Sequence, residues 1–288
     1  MPVEEIIASS WEEIDAALTR DAWNERLKRF RSGDVFRGVP EVSWSMETSM
    51  ARLNYGPDEI CRMESVILNS FIKYAHHDYG GHDSLWNWLS LAQHHGLPTR
   101  LLDWTYSPYV ALHFAVGEMP DPGTDGVVWR ANVQQVHQSL PGRLQDALKR
   151  EGFSAFTVGI LDDAAPTLND FDALCDETFA LFFEPPSLDQ RIVNQYALFS
   201  VMTDPGCSFD AWLEQRGKHI TRLIIPGALK WQVRDRLDWL NITERVLFPG
   251  LDGLCSWLRR YYTPFPARNG HHANPKDMMQ GNNAADAP

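Results

Sequence analysis

The sequence has few of the features that announce a mechanism. Its four cysteines, Cys61, Cys175, Cys207 and Cys255, include no C-x-x-C pair, and no Cys and His stand at the spacing of a structural zinc site. No apolar run approaches the ~18 residues that a membrane-crossing helix needs. Met1 to Leu18 carries five acidic residues and no basic one, unlike a signal or transit peptide. These gaps lead to the expectation of reduced thiols in a cytoplasm, with no membrane partner and no metal. Basic residues are in the minority, 26 Lys and Arg against 38 Asp and Glu in 288 residues. Sequence-blind binding to phosphate backbones draws on clustered Lys and Arg, so no non-specific nucleic-acid partner is expected. The Gly-x-Ser-x-Gly elbow, the P-loop, the dinucleotide glycine fingerprint and His-Glu-x-x-His are all missing, which leaves the common hydrolase, kinase and zinc-peptidase readings without support.

The charge deficit is uneven. Residues 151 to 190 hold nine acidic residues and no Lys or Arg. The rest is close to neutral and contains Arg37, Arg62, Arg100 and Arg191, so a locally basic pocket is compatible with an acidic chain. The acidic stretch, between the second and third segments of interest, reads as a solvated insertion, the alternative being a lid or a substrate-facing surface.

Local signals suggest an α+β fold, a mixed sheet flanked by helices. Residues 3 to 30 read as one or two helices capped by Ser10, so residues 1–32 form an N-terminal helical segment packed on the core. Val35 to Gly38 reads as a short strand. Helices follow over 57–78, from a Ser84 cap to Gly96, and from Ser107-Pro108 to Gly117. Strands are expected at Val127 to Trp129, Ile192 to Met202, His219 to Pro226 and Arg245 to Phe248, with helices at 228–240 and 252–262. The main domain is thus 33–262, with the insertion at about 151–190, and 263–288 reads as a disordered tail.

Three segments carry candidate chemistry. Gln93 to Thr105 crowds polar side chains around a helix end and a turn, including His94, Arg100, Asp103 and Thr105. One reading is a cleft; the other is a well-tied loop held by an Arg100–Asp103 ion pair. In Phe36-Arg37-Gly38 an Arg at a strand end can offer its fork to phosphate, and the Gly can let a ligand approach the backbone. In Arg191 to Phe199 the alternation is strand-like, which puts Arg191, Val193 and Gln195 on one face. Gln195 then either hydrogen-bonds a ligand hydroxyl or satisfies backbone groups. His76-His77-Asp78 with His82-Asp83 matches no standard metal-ligand spacing.

Together these segments resemble the FRG domain, named for its Phe-Arg-Gly motif. The matching residues are Phe36-Arg37-Gly38, Arg62-Met63-Glu64 with Phe71, the run Gln93 to Thr105 with Ala111 to Ala115, then Arg191, Gln195 and Phe199, and Leu247 to Gly253. The order of motifs is similar to that of the ADP-ribosyltransferase superfamily. That resemblance implies an ADP-ribosyltransferase-like fold, NAD or another nucleotide as ligand, and a macromolecular acceptor. It implies that Arg37, Gly38, Arg100, Thr105 and Arg191 hold the nucleotide, and that Glu64, His94, Asp103 and Gln195 carry the chemistry. Gln195 stands where the superfamily has a catalytic Glu, and a neutral amide lacks that negative charge. Three functional readings therefore stand side by side. One is NAD cleavage with ADP-ribosyl transfer. The second is nucleotide or nucleic-acid-end binding without turnover, with Trp86, Trp88 or Trp104 stacking a base. The third is a buried ion network of Arg37, Glu64, Arg100 and Asp103 with a structural role only. FRG-type chains are also similar to components of toxin or phage-defence systems.

Overall fold

The computed structural model describes residues 3–75, 79, 84–187, 189–216 and 220–264. The strands are β1 (Glu4–Ile7), β2 (Trp23–Asn24), β3 (Arg29–Phe30), β4 (Asp34–Val39), β5 (Leu101–Thr105), β6 (Gly126–Asn132), β7 (Phe156–Thr157), β8 (Ala180–Glu184), β9 (Ala197–Met202) and β10 (Ile220–Ile225). Eight of them form one sheet in the order β1-β10-β6-β4-β5-β9-β8-β7, and β2 pairs with β3 in a separate ribbon. β1–β10 and β7–β8 are parallel and the other neighbours antiparallel. The mixed sheet flanked by helices is the α+β architecture expected from the sequence. No helix among the described residues is long and apolar enough to cross a membrane. Apart from Thr263 and Pro264, the expected disordered tail lies outside the described residues, as do His76, His77, Asp78, His82 and Asp83.

Local chemistry sets the helix starts. Ser10, Ser84 and Ser107 each accept a backbone N–H three residues on, and so cap the helices Trp11–Thr19, Leu85–His94 and Pro108–Val116. Gly117 closes the last of these at φ 75°, a conformation that L side chains rarely adopt. The helix Pro57–Ala75 starts on proline, which has no amide to leave unpaired.

The weakest joint of the sheet lies at its centre. β4 pairs with β6 over six register positions and β5 pairs with β9 over five. Between β4 and β5 the single register pair is Phe36 with Thr105. Beyond that pair the strands part, leaving a seam beside Arg37, Gly38 and Asp103. The packing matches this division. On one face a single apolar cluster runs under both halves, joining Val35, Val39, Val127 and Trp129 to Leu102, Trp104, Phe182 and Leu198. On the other face there are two clusters. One packs Phe36, Val128 and Leu223 against Ala111, Leu112 and Ala115. The other packs Leu101, Leu181 and Phe199 against Trp86, Leu89 and Phe171. Within it Trp86 meets Phe171 edge-on at 5.2 Å between ring centroids, a geometry that adds about 1 kcal/mol to the burial itself.

Four sequence expectations are corrected. Residues 3–30 hold β1 and the β2–β3 ribbon besides one helix. Ile192 to Met202 is not one strand: Gln190–Asn194 is a short helix, and only Ala197–Met202 is extended. Glu244–Leu247 is a helical turn rather than a strand. Residues 151–190 are not a solvated insertion, because they supply β7, β8 and the fully buried Phe156, Phe171, Phe182 and Phe183. Most of their charges sit on the outer sides of short elements whose inner sides complete the core, while Asp172 turns inward to Arg100.

Candidate functional site

The seam opens into a cleft of about 220 Å³, whose lining includes Arg37, Gly38, Asp103, Thr105, Phe114, Arg191 and Gln195. β4 brings the first two and β5 the next two. Arg37 shares a face of β4 with Val35 and Val39, and its Nη1 reaches across the gap to β5. Its Nη1 donates to the Asp103 main-chain carbonyl at 2.6 Å, and its Nε is buried with no hydrogen-bond partner. Burial lowers the Arg37 pKa; the Asp103 charge opposes this and Arg52 adds to it. The Asp103 carboxylate accepts from Gln93 Nε2 at 2.9 Å, and it is the only acid among the cleft residues. Thr105 Oγ1 donates to the Gln195 carbonyl at 2.7 Å and accepts from the Ser107 amide at 3.0 Å, tying β5 to the opposite wall.

That wall depends on contacts distant in sequence. Asp189 caps the Gln190–Asn194 helix and lies 2.5 Å from His94 Nε2. Burial holds the His94 pKa below the ordinary imidazole value, against the pull of Asp189. The amides of Asn194 and Gln195 donate to the carbonyls of Val246 and Leu247 at 2.7 and 3.0 Å. Arg191 lies over the Phe248 ring at 5.0 Å. Tyr196 follows at φ 50°, rare for a bulky side chain, and this turn redirects the chain into β9. Thus Val246, Leu247 and Phe248 brace the Arg191–Gln195 wall.

The structure therefore gathers six of the nine expected residues: Arg37, Gly38, Asp103, Thr105, Arg191 and Gln195. The other three lie elsewhere. Glu64 and Arg100 are each 1 % exposed and form a closed ion cluster. Arg100 Nε donates to Glu64 at 2.7 Å, and its Nη1 donates to Asp172 at 2.5 Å. Burial works to lower the Arg100 pKa, but the charge and hydrogen bonds of Glu64, with those of Asp172, raise it. Arg100 is thus unavailable to a ligand, and the Arg100–Asp103 pair does not form. Arg37 and Asp103 take no part in the buried network expected with them. His94 is outside the cleft lining and faces Asp189, the cap of the Gln190–Asn194 helix. Trp86, Trp88 and Trp104 are all buried, with Trp104 Nε1 bound to Ser200 Oγ at 3.0 Å, so none offers a face to a base.

Gly38 has a packing role besides its place in the cleft lining. A Cβ there would lie 1.8 Å from the Ala111 carbonyl oxygen and 2.6 Å from the Ala115 amide. The glycine lets the Pro108–Val116 helix lie directly on β4. The three positions of Phe36-Arg37-Gly38 thus act differently. Phe36 makes the last pair with β5, Arg37 fills the seam, and Gly38 seats the helix. The family model of the FRG domain matches residues 32–123. The chain carries an FRG domain. No curated protein and no solved structure matches the chain. The FRG match contains Arg37, Gly38, Asp103, Thr105 and Phe114 and stops before Arg191 and Gln195, so the matched segment supplies one wall of the cleft and a later segment supplies the other.

Two larger spaces share Gly38 with the cleft. An apolar cavity of about 430 Å³ shares Gly38 and Phe114 with it and reaches Phe248 and Glu244. Buried Arg234 backs it, with Nη1 2.5 Å from His113 Nδ1. Burial and then the Arg234 charge push the His113 pKa down to about 3, so the ring is neutral. The second space, on the far side of Arg37, includes Trp44 and Arg52. Neither Trp44 nor Arg52 stands out in the sequence, since both sit in an irregular segment without periodicity. Asp172 and Asp189 were likewise hidden among the acidic residues, although an Asp before a short amphipathic run is an N-cap signal.

Proposed function

We propose that the seam cleft binds NAD and that the protein cleaves it at the nicotinamide bond, passing ADP-ribose to water or to a macromolecular acceptor. The observation that carries this reading is Arg37: a guanidinium fixed on one nitrogen by Asp103, with a second nitrogen unpartnered, at the mouth of a cleft that also holds Arg191. Such a fork suits a phosphate, and the acid beside it suits a ribose. In the reaction the bond between the ribose C1′ and the pyridinium nitrogen breaks, and nicotinamide leaves neutral with the electron pair. The incoming oxygen bonds to C1′ and gives up its proton. Positive charge develops on the ribose, and the Asp103 carboxylate is the group in the cleft with the charge to stabilise it. The Gln195 amide is engaged with Leu247, so its part is to shape the wall. The cytoplasmic, toxin-related or phage-defence setting belongs to the same proposal.

The test is incubation of purified protein with NAD and measurement of free nicotinamide. Release by the wild type that is lost in Arg37→Ala, with the melting temperature retained, supports the enzyme. The neutral Gln195 favours a second reading, binding without turnover. It is distinguished by NAD-dependent thermal stabilisation with no nicotinamide produced. No stabilisation and no release would overturn both.

A further inference from the structure

Arg37 and Gly38 line a second concavity, of about 640 Å³, formed with Val39, Pro40, Trp44 and Arg52. Its size exceeds that of the seam cleft, and Arg37 stands where the two spaces meet. Trp44 is 54 % exposed, a large apolar ring left open to this space. Arg52 is fastened by a 2.8 Å hydrogen bond from its Nη1 to the Glu47 carbonyl, which holds a flexible side chain near the basin. Among the described residues neither Arg37 nor Arg52 makes an ion pair with a carboxylate. Two guanidiniums facing one space against a single rim acid, Glu47, repel each other unless an anion comes between them. A planar ring beside that pair is the arrangement in which a base stacks while its phosphates are held.

Resting on the reading of the seam cleft as a nucleotide site, we infer that the ligand is a pyrophosphate-linked dinucleotide with one nucleoside on each side of Arg37. Trp44 takes the adenine on its ring face, Arg37 and Arg52 hold the pyrophosphate between them, and the smaller seam cleft takes the other ribose. A mononucleotide fills one space only. Trp44 is thereby a specificity-determining residue, and it lies outside the expected set.

Calorimetric titration with NAD and with nicotinamide mononucleotide tests this. The wild type is expected to bind NAD about tenfold more tightly or better. Trp44→Ala should bring NAD down to the level of the mononucleotide and leave the mononucleotide unchanged, while Trp44→Phe keeps most of the preference. Because Trp44 is exposed, its removal leaves the core intact, and a retained melting temperature confirms this. Equal NAD affinity in wild type and Trp44→Ala overturns the inference and spares the seam-cleft reading. An equal loss for both ligands overturns it as well. If the wild type binds neither ligand, the seam-cleft reading falls and the inference falls with it.

Discussion

Arg37 donates to the main-chain carbonyl of Asp103 across 2.6 Å, at the point where β4 and β5 no longer pair. The side chain thus replaces a missing rung between the two halves of the sheet while its buried Nε has no partner. One hydrogen bond of this kind contributes about 1.5–3 kcal/mol when the donor is charged. Arg37→Ala is expected to lower stability by no more than that and to abolish nucleotide binding. Urea denaturation and calorimetry on the same preparation separate the two effects. A fully unfolded variant would make Arg37 a structural residue only.

Gly38→Ala is expected to do the reverse. The added methyl meets backbone atoms of the Pro108–Val116 helix, which cannot rotate away as a side chain can. Displacing that helix should cost about 3 kcal/mol. The readout is the urea midpoint, and near-wild-type stability would show that the helix does not seat as described.

Glu64 and Arg100 form a separate prediction because they lie outside the cleft. Glu64→Gln leaves the Arg100 charge with Asp172 alone in the core, and breaking a buried pair in this way costs about 3–5 kcal/mol. Loss of stability should come with proportional loss of folded protein, while the fraction that remains folded binds nucleotide as the wild type does. A stable Glu64→Gln variant with impaired turnover would restore Glu64 to the catalytic set.

His137 makes stability depend on pH. The ring accepts the Phe182 amide on Nε2 at 2.9 Å, so Nδ1 carries the proton and donates it to the Ser154 carbonyl at 3.0 Å. Burial pushes its pKa from the ordinary 6.5 down to about 4. The unfolded chain therefore takes up a proton near pH 6.5 and the folded chain only near pH 4. The stabilisation is complete above pH 6.5 and is lost progressively as the pH falls toward 4, and His113 acts with the same sign. Thermal melts should show the midpoint falling on the order of 5 °C from pH 7 to pH 5. His137→Gln, which can both donate and accept, should flatten that fall. An unchanged slope would exclude His137 as its source.

How much of this was legible in the sequence depended on whether a signal was local. The caps Ser10, Ser84 and Ser107 and the stop at Gly117 could be read because each acts within a few residues. Phe36-Arg37-Gly38 was legible as a strand end, but the seam it borders was not, since strand order joins residues 66 positions apart. Arg191 to Gln195 misled because its alternation mimics a strand. What makes it a helix is the Asp189 cap and the anchoring of Asn194 and Gln195 to carbonyls some 50 residues on. Arg245 to Phe248 misled through its apolar content, whereas Glu244 is held in a buried pair with Arg260 that only the folded chain contains. In residues 151–190 the surplus of charge masked the buried phenylalanines.

The two faces of the sheet are unequal in a way that bears on how the seam behaves. Trp104, Phe182 and Phe209 interlock ring to ring within the cluster common to both halves, while the cleft-side clusters are separate. The common cluster is the one apolar layer continuous beneath both half-sheets. Trp104, which also lines the cleft, therefore links the gap between the strands to packing that spans both half-sheets.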